Sequence, residues 1–196
     1  MNGRIVVLNP RRSAVNHRQQ AMNASRESIL RAAGHQFATF GYEATSFTRV
    51  AAAMQKPRSA IGYHLFPSKL ALATEVIERQ QIQWRDVDMH VQLPAGPERF
   101  VTLLLSATLE AHRCPTARGA VRLLHELPRM GFDVPHVYDW RLTARREMAA
   151  SLRGATSAHP DVEDQEIRVF FAATLGLLSG TTDMPPAVFE QHLKTL

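Results

Sequence analysis

Apolar residues recur along this chain at intervals of three and four, with no sustained alternation at two, so the predicted elements are helices. Ile29, Ala33, Phe37 and Phe40, with Leu30 widening the stripe, predict a first helix over residues 25–40 that stops at Gly41. Thr45 or Ser46 can cap a second helix, which carries Phe47, Val50 and Ala51 inward. A turn at Gln55-Lys56 leads to Pro57, whose missing N–H suits the first turn of a short basic third helix over 57–64. Phe66-Pro67 breaks that helix, and Ser68 caps a long fourth one ending near His90. Leu93-Pro94-Ala95-Gly96-Pro97 is a connector.

Beyond the connector the pattern is that of a helical bundle. Phe100, Leu103, Leu104, Ala107 and Ala111 stripe one helix, and Val121, Leu123, Leu124 and Leu127 mark another that ends near Pro128. Residues 130–135 form an irregular apolar loop, 137–152 a helix and 154–160 a second loop. A strongly apolar helix is predicted over 163–178, carrying Ile167, Val169, Phe170, Phe171, Leu175 and Leu178, and a short last helix over 187–196 follows Pro185-Pro186.

Charge divides the chain as the pattern does. Residues 1–84 carry a net +7 and residues 85–196 a net −2, within an overall +5. A basic N-terminal part is the electrostatic footprint expected of a nucleic-acid binder. With 45% hydrophobic residues the chain can bury a core. Cys114 is the single cysteine, so neither an intramolecular disulfide nor a thiolate metal cluster is available. No run reaches the roughly 18 apolar residues of a membrane span, and residues 5–8 are too short an apolar stretch for a signal peptide, so a soluble cytoplasmic protein without membrane association is expected. Catalytic patterns are sparse. His112, His125, His136 and His159 are scattered, with no His-x-x-x-His, no Gly-rich phosphate loop and no serine elbow. Asp161, Glu163, Asp164 and Glu166 stand where acids complement a helix N-terminus. No cofactor or metal is expected, and a DNA-binding regulator is favoured over an enzyme.

The segment 26–72 carries a specific combination of motifs: Ile29-Leu30-Arg31-Ala32-Ala33, Phe37-Ala38-Thr39-Phe40-Gly41-Tyr42, Thr45-Ser46, Tyr63-His64 with Phe66, and Ser68-Lys69. It resembles the DNA-binding domain of the tetracycline-repressor (TetR) family. Two departures stand out. Gln55 occupies a turn where glycine is usual, and Leu65 separates His64 from Phe66, which either lengthens the recognition helix or kinks its end. Further on, Thr116-Ala117-Arg118-Gly119-Ala120-Val121-Arg122-Leu123 and Tyr138-Asp139-Trp140 are similar to segments of the γ-butyrolactone receptors of actinomycetes, in which an indole lines the ligand pocket.

The resemblance implies an all-α protein in three parts: a flexible basic arm over 1–22, a three-helix helix-turn-helix domain over 23–72, and a helical ligand-binding and dimerisation domain over 73–196 joined to it by a long helix. It implies a homodimer on a palindromic double-stranded DNA operator, released by a small butyrolactone-, butenolide- or furan-type effector. The alternatives are a regulator that answers an antibiotic or no ligand at all and, more distantly, a small-molecule enzyme. Arg58, Ser59 and Ala60 suit base edges, since arginine pairs with guanine and small residues allow close approach. Thr45, Ser46, Thr48, Lys56, Tyr63, His64 and Lys69 are expected near phosphates, with Arg11 and Arg12 on the arm. For the effector the candidates are Trp140, Leu104, Leu105, Thr108, Leu124, Met130, Phe132, Val134, Phe171, Thr174 and Leu178. Packing alone also accounts for most of these apolar residues, and a helical threonine more often bonds its own backbone. The last two helices are expected to form the dimer face.

Overall fold

The computed structural model describes residues 10–62 and 64–152, together with a few positions between 185 and 191. Within them lie six α-helices and no strand: α1 Pro10–Ala44, α2 Phe47–Ala53, α3 Lys69–His90, α4 Pro97–Arg113, α5 Pro115–Arg129 and α6 Trp140–Leu152, with a 3₁₀ turn at Arg58–Ala60 between α2 and α3. The all-helical architecture is the predicted one. The expected helices over 163–178 and 187–196 extend outside the described residues.

Helix boundaries follow the local chemistry. Ser46 and Ser68 cap α2 and α3, each hydroxyl accepting from a backbone N–H three residues on, Arg49 and Ala71. Pro97 and Pro115 sit in the first turns of α4 and α5, where their missing N–H costs nothing. Two boundaries differ from the pattern. Helix α1 starts at Pro10 rather than near residue 25, so residues 10–22 are helical and not an irregular arm. Gln19, Gln20, Ala21 and Met22 are good helix formers, and a solvent-exposed helix needs no apolar stripe to announce it. Helix α5 runs through Pro128 to Arg129, so that proline marks the last turn and not a stop.

Gly41 interrupts α1 with φ 77° and ψ −177°, which redirects the chain into the helix-turn-helix. Glycine is required there twice over. The conformation is left-handed, and a Cβ would meet Arg122 and Glu126 at 2.7 Å. These two side chains of α5 hold the end of α1: Arg122 donates to the Ala38 and Thr39 carbonyls at 3.0 and 3.3 Å, and Glu126 accepts from the Tyr42 N–H at 2.6 Å.

Two main apolar clusters result. The first joins Ile29, Phe37, Val50, Ile61, Phe66, Leu72, Ile77, Leu123 and Leu127, so α5 is part of the base under the helix-turn-helix. The second joins Trp84, Phe100, Leu103, Leu104, Tyr138, Trp140 and Ala144. Helix α5 borders both, with Leu124 packed against each. Helices α1 and α5 cross at Gly34 and Gly119, where a Cβ on Gly34 would meet Thr116 at 2.6 Å and one on Gly119 would overlap the Gly34 carbonyl.

Candidate nucleic-acid interface and effector cavity

The segment between α2 and α3 stands on two buried anchors, Ile61 and Phe66. Between them and α2 the chain turns at Gln55, whose φ of 55° is the single positive value for a non-glycine residue among the described ones. The turn is the one predicted to suit glycine better, and Lys56 N–H closes it onto the Ala51 carbonyl at 3.0 Å. Lys56, Pro57, Arg58 and Ser59 face solvent, Ala60 is half-buried, and His64 is exposed beside Gly62.

The third helix predicted over 57–64 is not formed. Only the 3₁₀ turn Arg58–Ala60 is helical, and Ile61 leaves the helical region at φ −91° and ψ 84°. The reason is local. The Arg58 guanidinium takes the Ile61 carbonyl at 3.0 Å, which a continuing helix would give to Leu65 N–H. Leu65 and Phe66 N–H groups turn instead to the Gly62 carbonyl, at 2.9 and 3.3 Å. Arg58 also stacks over Phe47 at 4.4 Å, so its head is held rather than free.

The remaining candidates fall into distinct places. Thr48 is exposed at the start of α2 beside the cap Ser46. Thr45 is buried, and its hydroxyl donates to the Gly41 carbonyl at 2.7 Å, so it secures the kink instead of facing outward. Lys69 does similar work, with Nζ on the Tyr42 and Glu43 carbonyls at 2.8 and 3.1 Å and over the Tyr42 ring at 4.3 Å. Arg11 and Arg12 belong to the first turns of α1. Tyr63 lies outside the described residues. Arg26 was missed. It pairs with Glu75, donates to the Leu65 carbonyl at 3.1 Å and covers the Phe66 ring at 4.7 Å, tying the end of the recognition segment to α1 and α3. Its partners are 39 and 49 residues away, beyond any local signal.

The second cluster borders a half-open cavity of about 180 Å³ lined by Trp84, Val87, Leu103, Ser106, Ala107, Glu110 and Trp140. The two indoles meet edge to face with centroids 5.5 Å apart, and Tyr138 meets Trp140 at 5.0 Å. Three polar features stand out. Trp84 Nε1 is buried without a hydrogen bond of good geometry, yet lies close enough to the Glu110 carboxylate to favour its charged form. Burial raises the Glu110 pKa above the ordinary carboxylate value, opposed by the Gln80 amide, which donates to Oε2 at 2.9 Å, and by Trp84. Burial also pushes the Tyr138 hydroxyl up to about 12. Below the indoles, Arg99 donates to Asp88 at 2.5 Å and Glu147 at 2.7 Å, Arg146 donates to the same two carboxylates at 2.9 Å, and Glu147 accepts from Gly96 N–H at 3.0 Å, which joins α3, α4 and α6.

Of the expected effector residues, Trp140 lines the cavity. Leu104 is buried in the same cluster and Leu105 is half-buried. Thr108 is buried with its hydroxyl on the Leu104 carbonyl at 2.8 Å, the ordinary helical arrangement. Leu124 borders both clusters. Met130 is exposed, while Phe132 and Val134 pack on the helix-turn-helix base, Phe132 5.8 Å from Tyr42. None of these seven is among the cavity-lining residues; the last three are carried away because Gly131 N–H and Phe132 N–H fold the loop back onto the end of α5. Phe171, Thr174 and Leu178 lie outside the described residues. Six lining residues were missed: Trp84 and Val87 on α3, and Leu103, Ser106, Ala107 and Glu110 at helical spacing on one face of α4. A carboxylate on the same face as Leu103 and Ala107 was the available signal.

Residues 29–76 match the family model of the N-terminal domain of bacterial regulatory proteins, tetR family. No curated protein matches the sequence. Among solved structures, one described as a γ-butyrolactone receptor (ArpA-like protein) superposes with a TM-score of 0.67 at 18% identity, covering 90% of this chain and 98% of its own. CprB of S. coelicolor A3(2), a TetR family protein, gives 0.66 at 21%, covering 84% of each. TylP, a TetR regulator of Streptomyces fradiae, gives 0.57 at 24%, covering 88% and 86%. At these identities the likeness establishes the fold. Among the described residues no helix is long and apolar enough to cross a membrane.

Proposed function

We propose that this chain, which carries a TetR-family domain at residues 29–76, is a cytoplasmic transcriptional repressor and not an enzyme, binding a palindromic operator as a homodimer and released by a small molecule. The observation that carries the reading is the exposed basic turn Lys56–Ser59, held by Ile61, Phe66 and the Arg26 contacts on a fully packed base. Arginine and small residues on a rigid protrusion are what base edges in a major groove require. Lys56, Ser59, Ala60 and His64 make the direct contacts, joined by Arg58 when its guanidinium exchanges the Ile61 carbonyl and the Phe47 ring for a base edge, with Ser46 and Thr48 presenting the N-terminus of α2 to a phosphate and Arg11, Arg12 and Tyr63 adding backbone contacts. Thr45 and Lys69 act by fixing the kink at Gly41.

The cavity between α3, α4 and α6 is the effector site, with Trp140 and Trp84 as its walls. A ligand that binds better when the helices around it shift draws the dimer towards a DNA-free spacing, and release needs a differential affinity of a few kcal/mol. Helix α5 is placed to couple the two ends, because it borders the cavity cluster and clamps α1 beside the helix-turn-helix through Arg122 and Glu126. Likeness to the butyrolactone receptors supports an effector of lactone, butenolide or furan type. A second reading, an effector of different chemistry, is favoured by Glu110 in the cavity wall.

The test is fluorescence anisotropy of a labelled fragment from upstream of the chain's own gene under excess random DNA. Saturable binding that survives the competitor is expected, with two protomers per site, followed by release on addition of effector. Binding abolished by competitor at every fragment tried would remove the repressor reading. Arg58→Ala and Lys56→Ala should separate the contributions. Loss of a base-reading arginine costs about 1–3 kcal/mol and relaxes specificity, whereas loss of a phosphate contact weakens all sequences alike.

A further inference from the structure

Among the described residues, Glu110 is the one carboxylate in the cavity wall. The two buried acids nearby, Asp88 and Glu147, are each held by Arg99 and Arg146. Among the described residues no ion pair joins Glu110 to a cation, and its hydrogen bond comes from a neutral amide, that of Gln80. Beside it Trp84 Nε1 is buried next to the same carboxylate without a well-formed hydrogen bond. The rest of the lining is apolar or aromatic apart from Ser106. Glu110 is half-buried, and a carboxylate on a mostly apolar wall without a counter-charge among the described residues favours a ligand that brings one. Indole faces attract cations as well, most strongly where water is excluded.

Resting on the effector-site reading above, we propose that the cavity takes an amine: an effector with a compact apolar body whose ammonium group pairs with Glu110 between Trp84 and Trp140. The volume of about 180 Å³ lies below the range of about 300–1,000 Å³ usual for whole drug-sized ligands, so the described walls hold a ring-sized moiety. The carboxylate fixes the end of that moiety, and the two indoles fix its plane. Gln80 holds the Glu110 carboxylate in place and keeps it an acceptor. A neutral lactone gains contact with the indoles but leaves the Glu110 charge unmatched.

The chain has two tryptophans, and both line the cavity, so intrinsic tryptophan emission reads this site alone. The probes are cyclohexylmethylamine, its neutral counterpart cyclohexylmethanol, and γ-octalactone, titrated into the purified full-length protein near pH 7. The amine should change the emission saturably and bind at least about tenfold more tightly than the alcohol. In Glu110→Gln the amine and alcohol should bind alike. Ala107→Phe, which fills the space, should abolish both titrations, and circular dichroism establishes that each variant keeps its helices. Equal or tighter binding of the alcohol or the lactone in the unaltered protein overturns the amine assignment while leaving the effector site in place. No saturable change with any of the three overturns the effector-site reading as well. Amine binding that persists unchanged in Glu110→Gln overturns the role given to the carboxylate.

Discussion

The two ends of the molecule satisfy their buried groups in opposite ways. Under the helix-turn-helix, apolar side chains from α1, α2, α3 and α5 close on one another, and the polar groups that enter are spent on backbone: Thr45 on Gly41, Lys69 on Tyr42 and Glu43, Arg122 on Ala38 and Thr39. Around the indoles, space remains, Trp84 Nε1 and the Tyr138 hydroxyl lack well-formed partners, and Glu110 has no counter-charge among the described residues. The first arrangement leaves one geometry available, and the second leaves hydrogen-bonding and charge capacity open to a ligand of the kind proposed above. Helix α5 belongs to both, and at the Gly34–Gly119 crossing it approaches α1 with no room for a side chain.

The largest expected effect breaks the filled end. Phe37 is fully buried at its centre, and Phe37→Ala should cost about 3–5 kcal/mol in urea denaturation and remove DNA binding with it. A loss below about 1 kcal/mol would mean the base is not close-packed. Next comes the polar network beneath the indoles. Glu147→Ala leaves Arg99 with Asp88 but removes one of its two carboxylate partners and the acceptor of the Gly96 N–H, and should cost about 1–3 kcal/mol.

That network also predicts a dependence on acid. Burial alone would raise the Asp88 pKa, but hydrogen bonds and charge from Arg146 and Arg99 outweigh it and hold the carboxyl below its ordinary value. Its stabilising contribution is therefore present above about pH 4 and lost as pH falls through the lowered pKa, and Asp88→Asn should flatten that part of the profile. Glu110 has the opposite sign. Its raised pKa means that ionisation costs stability, so Glu110→Gln should gain stability relative to the parent as pH rises through that raised value.

At the seam, Gly119→Ala places a methyl against the Gly34 carbonyl and should cost about 1–3 kcal/mol by forcing the helices apart. It should also alter effector release more than operator affinity, measured by the same anisotropy titrations. An unchanged release curve would remove α5 from the coupling route. The smallest effect is a gain. Gln55→Gly relieves a left-handed turn and should raise stability by no more than about 1 kcal/mol, offset in part by the greater freedom of glycine in the unfolded chain.

Much of this architecture was legible in the primary structure because it rests on local rules. Helical spacing marked α4 and α5, serine caps placed the starts of α2 and α3, and the glycine at position 41 announced the kink before the helix-turn-helix. The motif combination over residues 26–72 pointed to the TetR-type domain that the family match over 29–76 establishes. Where the outcome depended on which segment meets which, local rules ran out. The recognition segment scored as a helix, yet the Arg58 guanidinium took the carbonyl that would have extended it. Phe132 and Val134 are as apolar as any pocket residue, but the loop after α5 folds towards Tyr42 and carries them to the other cluster. Glu110 is an unremarkable helical acid until α3 and α6 bring Trp84 and Trp140 over it. Helix periodicity and capping are decided within a few residues, so the sequence alone determined most of the helices and the all-helical class. The charge environment and free volume at a point are set by side chains tens of positions apart, so only the tertiary structure decided which acid lacks a partner and where the cavity lies.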